Sequence, residues 1–123
     1  MTKRILVIED TEDNRVILSD LLSSAGYELI EAMDGLEGVA TAEREQPDLI
    51  LMDIQLPGID GYEATRRIRK IPALAKVPII AVTSYALSGD EAKTREAGCD
   101  GYVAKPYSPR QLLAKVREFL PSE

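Results

Sequence analysis

The chain has no histidine, a single cysteine and fewer basic than acidic side chains. Without histidine there is no imidazole base, no imidazole metal ligand and no phosphohistidine. Proton, metal or phosphoryl chemistry therefore falls to carboxylates, lysine, hydroxyls or the backbone. The lone Cys99, next to Gly98, excludes an internal disulfide and a thiolate metal cluster, and reads as a small packed residue. Lys and Arg total 15 against 21 Asp and Glu, a formal net charge of −6. That balance argues against a nucleic-acid surface, because phosphate backbones need basic side chains to displace their counterions. No apolar run reaches the roughly 18 residues of a membrane span. Met1-Thr2-Lys3-Arg4-Ile5 runs straight into a short apolar segment with no signal-peptide cleavage pattern. A cytoplasmic location without membrane insertion is expected.

What is present is enough for a core. Apolar residues make up 45% of 123, which fits one compact domain over residues 1–123. No linker, repeat or low-complexity tract divides it. Short β-branched runs alternate with longer amphipathic stretches. The predicted strands are Arg4–Ile8, Glu28–Ala32, Asp48–Met52, Pro78–Val82 and Gly101–Ala104. The first, third and fourth are nearly continuous apolar runs, as in parallel strands buried on both faces.

Helical patterns lie between them. In the first, Ile17, Leu18, Leu21, Leu22 and Ala25 fall at helical spacing, and Gly26 is a natural stop. The last carries Leu112, Leu113, Val116, Phe119 and Leu120, and Pro121-Ser122-Glu123 ends it. Four starts show a capping residue followed three positions later by Glu or Gln: Asp34/Glu37, Asp60/Glu63, Ser88/Glu91 and Ser108/Gln111. Pro109 suits the first helical position of the last. Strand–helix alternation implies an α/β fold, (βα)5, with a parallel sheet and helices on both faces.

In such open sheets, ligands bind beyond the carboxyl ends of the strands. Here those ends carry Glu9-Asp10, Asp53, Thr83-Ser84 and Lys105-Pro106 on the first, third, fourth and fifth strands. Glu9, Asp10 and Asp53 need a counter-charge if they lie close together. A hard cation such as Mg²⁺ suits them, because it takes carboxylate, carbonyl, water and phosphate oxygens. Lys105 adds a second positive charge. A carboxylate is also a competent nucleophile toward phosphorus. Phosphoryl transfer chiefly needs positioning and neutralised charge, which Mg²⁺, Lys105 and the Thr83 hydroxyl would supply.

Ile8-Glu9-Asp10, the run from Leu51 to Gly61 (LMDIQLPGIDG), Val82-Thr83-Ser84 and Lys105-Pro106 together resemble the CheY-like response-regulator receiver family over the full chain. The resemblance implies the flavodoxin-like sheet order 2-1-3-4-5 and a place in a phosphorelay rather than an enzyme's role. It implies Asp53 as phosphoacceptor, taking its group from a sensor histidine kinase or a histidine phosphotransfer protein, with slow self-catalysed loss of the group. It implies one Mg²⁺ per domain, with Mn²⁺ able to substitute. Asp10 would bind the ion more directly, Glu9 through water, and Asp53 and the Gln55 backbone carbonyl would complete the protein ligands. Thr83 and Lys105 would hold the phosphoryl oxygens, and the Lys105-Pro106 peptide would be cis. Thr83 and Tyr102 would switch the face of the fourth helix, fifth strand and fifth helix, where a downstream protein docks. Ser84 replaces the commoner alanine after the threonine and is still small, so phosphoryl access is expected to survive, while Gln55 and Tyr85 sit where the family varies and tunes the lifetime of the phosphorylated state. A free-standing receiver without an output domain, monomeric or weakly dimeric, is expected.

Plainer readings stand beside these. Glu9-Asp10 alone is equally an acidic start to a helix. Asp53 alone fits a turn cap, Thr83 an ordinary strand end, and Lys105 a solvated loop. Tyr102 fits a packed aromatic without a switching role. Arg66, Arg67, Arg69 and Lys70 form a basic cluster that is either a solvated face or a docking patch for an acidic partner. Among rival functions, a haloacid-dehalogenase-type phosphatase needs a second acid two residues after its nucleophile, where this chain has Gln55. A flavodoxin-like FMN site needs a Ser/Thr/Gly-rich loop where Glu9-Asp10 would repel the phosphate. A receiver-shaped scaffold that never takes phosphate is separated by phosphorylation itself.

Overall fold

In the parallel strands, both faces of the sheet are covered, so consecutive apolar residues are buried on opposite sides. The computed structural model describes residues 2–84 and 90–120. Its elements run β1 (Arg4–Ile8), α1 (Glu12–Ser24), β2 (Glu28–Ala32), α2 (Gly35–Glu45), β3 (Leu49–Asp53) and α3 (Gly61–Arg69). After a 3-10 turn at Pro72–Leu74 come β4 (Ile79–Thr83), α4 (Asp90–Ala97), β5 (Gly101–Ala104) and α5 (Pro109–Phe119). All neighbouring strands are parallel, in the order β2-β1-β3-β4-β5. This is the expected (βα)5 arrangement.

One face buries Ile5, Val7, Leu49, Leu51 and Ile80 against Leu18 and Leu22 of α1 and Leu112 and Val116 of α5. The other buries Leu6, Ile8, Ile50, Met52 and Ala81 against α2 and α3 through Ala42, Ala64 and Ile68. Each buried Leu or Ile contributes roughly 1.5–3 kcal/mol relative to exposure, so the sheet itself is the rigid element on which the strand ends are mounted.

Two strand boundaries differ from expectation, both toward the carboxyl end. β3 is Leu49–Asp53 rather than 48–52, and β4 is Ile79–Thr83 rather than 78–82. Asp53 is still paired with Val82, and the Ile54 N–H donates to the Val82 carbonyl at 3.1 Å. Asp53 and Thr83 therefore belong to the sheet and share its rigidity. In α1 the expected apolar stripe narrows. Leu18 and Leu22, four residues apart, are buried, but Ile17 is 58% exposed. A turn of about 100° per residue carries Ile17 off the line those two share.

The described caps form as the sequence predicts. Asp34 and Asp60 accept from the N–H of Glu37 and Glu63 (2.8 and 2.9 Å). Ser108 and Gln111 make the full reciprocal box (3.1 and 2.8 Å). Ser88 and the 121–123 tail lie outside the described residues. Gly26 follows α1 with φ +96°.

The basic cluster of α3 is largely consumed within the molecule. Arg66 and Arg67 pair with Glu63 at 3.3 and 2.9 Å. Arg69 turns inward and donates to the carbonyls of Gly98, Leu74 and Val77 and to Asp100 (2.9, 3.1, 2.6 and 2.7 Å). It ties the end of α3 to the loops before β4 and β5. Among the described residues no helix is long and apolar enough to cross a membrane.

Candidate functional site

β1 and β3 are neighbours in the sheet, with Ile8 opposite Met52, so the residues that follow each emerge side by side. Glu9 and Asp10 follow β1, and Asp53 ends β3. Their carboxylate oxygens lie within 4.8 Å of one another. Glu9 and Asp53 are buried and Asp10 is exposed. β5 delivers Lys105 from two strands away, its N–H donating to the Thr83 carbonyl at 2.7 Å. The Lys105 Nζ stands 3.5 Å from both Glu9 Oε1 and Asp53 Oδ2.

The remaining oxygens are oriented locally. Asp53 Oδ1 accepts from the Gln55 N–H at 3.0 Å, and Glu9 Oε2 accepts from the Thr11 N–H at 3.0 Å. Gly61 lets the start of α3 come up against this strand end. Its N–H donates to the Ile54 carbonyl at 2.9 Å. A Cβ there would lie 2.5 Å from the Asp53 carbonyl oxygen and 2.6 Å from the Ile54 Cα. Gly58, in the same loop, takes φ +74°, a conformation glycine adopts without strain.

Among the described residues, three carboxylates face one ammonium. Like charges at this separation repel by on the order of 3 kcal/mol per pair at an effective dielectric of about 20. One lysine leaves that repulsion uncompensated, whereas a divalent cation removes it. The donors fit Mg²⁺ in kind, being hard oxygens. They fit in spacing too, since opposite ligands of an octahedral Mg²⁺ are about 4.2 Å apart, comparable with the 4.8 Å within which these oxygens lie.

The electrostatics register on Asp10. Its carboxyl is held above its ordinary value, first by partial loss of water and then by hydrogen bonding to and repulsion from Glu9; Lys105 pulls the other way. The folded chain thus keeps this proton to higher pH than the unfolded chain does. Stability contributed by Asp10 falls as pH rises through the window above 3.8. Asp10→Asn is expected to raise the thermal midpoint of the metal-free domain at neutral pH and to flatten its decline across that window. Thermal unfolding with chelator at several pH values checks this; a lower midpoint at neutral pH would contradict it.

The other expected residues fall around this centre. Thr83 is fully buried at the end of β4, one residue beyond the partner of Asp53. Ser84 is exposed, and with Glu9, Lys105, Ile17, Pro106 and Tyr107 it lines a cavity of about 590 Å³ beside the carboxylates. The Lys105-Pro106 peptide is cis. Tyr102 is half-buried on β5, opposite Ala81, with its ring against the α2–α3 side of the sheet. Tyr85 lies outside the described residues. Cys99 is buried with its sulfur 3.7 Å from the Thr65 hydroxyl, and burial raises its thiol, consistent with a packed residue.

Three contributors were not anticipated, the first being Asn14, which lines the cavity and donates from Nδ2 to Glu9 Oε1 at 3.4 Å. Tyr107 lines the cavity, and its hydroxyl is pushed up by burial and by the charges of Glu9 and Asp53. Its spacing two residues after Lys105 was the available signal. Arg15 of α1 donates from Nη1 to the carbonyls of Glu9 and Asp10 at 2.8 and 3.1 Å. The partners are only six and five residues away, but they are backbone carbonyls, so no residue-type pairing in the sequence marks the contact.

The model of the response regulator receiver domain matches residues 5–117. The chain belongs to this family. Receiver domains of this kind are signalling modules of two-component systems and interact with histidine kinases and downstream targets. Among curated relatives, the chain is 41% identical to the polar-differentiation response regulator DivK of Brucella ovis over 98% of both chains. Among solved structures, it is similar to the receiver domain of a sensor histidine kinase of Pseudomonas aeruginosa (39% identity, TM-score 0.92, 99% and 100% of the two chains). That domain has a magnesium ion coordinated in its active site cleft. A chemotaxis response regulator of Vibrio cholerae superposes with TM-score 0.92 at 27% identity over 97% and 99% of the chains.

Proposed function

We propose that this receiver takes a phosphoryl group on Asp53 from a phosphohistidine of a sensor histidine kinase or a histidine phosphotransfer protein. The observation that carries the reading is the convergence of Glu9, Asp10 and Asp53, with Lys105 Nζ 3.5 Å from Asp53 Oδ2. A carboxylate oxygen of Asp53 attacks phosphorus and the P–N bond of the donor breaks. Its electron pair leaves with the donor imidazole, and an acyl phosphate forms. The chain has no histidine, so the donor is another protein or another segment.

Lys105 and the Thr83 hydroxyl hold the phosphoryl oxygens, and the buried sheet keeps them in place. Asp10, Asp53 and the Gln55 carbonyl, with Glu9 through water, would hold Mg²⁺, or Mn²⁺ in its stead. The ion when bound neutralises charge on the phosphoryl oxygens. Gln55, Ser84 and Tyr85 set how long the group persists before slow self-catalysed loss. Thr83 and Tyr102 relay the change to the face of α4, β5 and α5, where the downstream protein docks. In support of that face, Tyr102, Val103, Gln111 and Lys115 border a cavity of about 490 Å³ between β5 and α5. Residues 1–123 act as one receiver domain in the cytoplasm, as a monomer or weak dimer, without nucleic acid.

Incubation with acetyl phosphate and Mg²⁺, read by intact mass, tests the reading. One acid-stable, base-labile phosphoryl group is expected, and chelator abolishes it. Absence of any gain while Mg²⁺ binds would favour a scaffold that works by contact alone. Lys105→Ala is expected to accept phosphate still, yet to lose most of the amide shift changes across α4, β5 and α5 on phosphorylation. A full response by NMR in that variant would remove Lys105 from the relay.

A further inference from the structure

In the acidic turn that follows β1, the Glu9 side chain is held by the Thr11 N–H, Asn14 Nδ2 and Lys105 Nζ, but the backbone leaves the sheet here. The ladder ends where the Glu9 N–H donates to the Ala32 carbonyl at 3.1 Å. Asp10 beyond it is exposed. Thr11 stands at the start of α1 in extended conformation, and its side chain makes no capping bond. The Glu9 carboxylate takes the Thr11 N–H instead.

Arg15 closes the gap from the other side. One nitrogen, Nη1, donates to the carbonyls of Glu9 and of Asp10 at 2.8 and 3.1 Å. Its Nε faces Glu31 on β2 at 3.5 Å, and the side chain is only 12% exposed. A single guanidinium thus ties both residues of the acidic turn to α1 and to the edge strand.

We infer that Arg15 is a positioning residue for the cation: by holding the Glu9 and Asp10 backbone, it fixes where their carboxylates meet Asp53. This rests on the reading of that cluster as a Mg²⁺ site. The planar fork of donors is the feature required, because one flexible ammonium does not reproduce several N–H vectors in a fixed plane.

Charge and geometry make opposite demands here, which allows a decision. Arg15 is itself a cation close to a cation site. If it acted only through its charge, removing it would strengthen Mg²⁺ binding, and Lys would substitute fully. If it positions the turn, both Arg15→Met and Arg15→Lys weaken binding. Partners that orient metal ligands typically contribute 10–100-fold in affinity.

The experiment is calorimetric titration of the full chain with MgCl₂, alongside thermal unfolding of the same proteins in chelator. Both variants are expected to bind Mg²⁺ about tenfold more weakly while the metal-free midpoints stay close to wild type. Met and Lys keep the apolar stem, so packing is largely retained. Unchanged or tighter binding in folded variants overturns the inference. So does loss of fold in both, since Arg15 would then support the domain rather than the turn. A wild-type chain that binds no Mg²⁺ sinks the metal reading itself, a result distinct from either.

Discussion

Asp53→Asn is expected to abolish phosphoryl uptake from acetyl phosphate while leaving the domain folded. The amide keeps the size of the carboxylate and an oxygen to accept the Gln55 N–H, so the turn after β3 persists. It lacks the anionic oxygen that the proposed reaction needs to attack phosphorus. Two effects on stability oppose each other. The variant loses the 3.5 Å contact with Lys105, and it loses repulsion from two carboxylates within 4.8 Å. In the metal-free protein the second prevails, because three acids share one ammonium, so the thermal midpoint stays level or rises. With Mg²⁺ the order reverses. A wild-type site at a hundred times its dissociation constant gains about 2.7 kcal/mol, and the variant gains much less. Intact mass and melting curves with and without Mg²⁺ check both halves. Stoichiometric labelling of folded Asp53→Asn would place the acceptor elsewhere.

Gly61→Ala is the substitution with the largest expected effect on the fold. Helix propensity argues for it, since Ala gains roughly 0.5–1 kcal/mol over Gly inside a helix. Space argues against it more strongly. Overpacking costs about 1–3 kcal/mol or more, and here the new methyl would meet backbone at 2.5 and 2.6 Å rather than a side-chain tip that could swing away. The start of α3 must then move off β3, and the Asp53 carbonyl with it. A net loss of about 2 kcal/mol by urea unfolding is expected, with slower phosphorylation of the folded fraction. A variant as stable as wild type would show that the α3 start yields freely.

Much of this was legible along the chain. Short apolar, β-branched runs located all five strands, continuous in the first, third and fourth, and the strand ends named Glu9, Asp10, Asp53, Thr83 and Lys105 before any of them had a neighbour. The boundaries of β3 and β4 were less legible: Pro78 and Asp48 look local, while membership of Asp53 and Thr83 in the sheet depends on pairing with strands elsewhere in the chain. Ile17 looked like core by spacing and is exposed, since period alone does not say how wide a stripe the sheet covers. The α3 arginines looked like a surface cluster, yet Arg69 is an internal tether whose partners lie up to 31 residues away.

The order of element types, the parallel sheet and the identity of the acids and the lysine were determined by the sequence alone, because they rest on local pattern and residue chemistry. Only the tertiary structure decided that three carboxylates lie within 4.8 Å and that one ammonium reaches two of them. It alone assigned Arg15 to the acidic turn. Those are contacts between residues far apart or differently oriented in the chain. They exist because parallel pairing brings the carboxyl ends of β1, β3, β4 and β5 to one edge, while α1, starting at Glu12, presents Arg15 to the carbonyls at the end of β1.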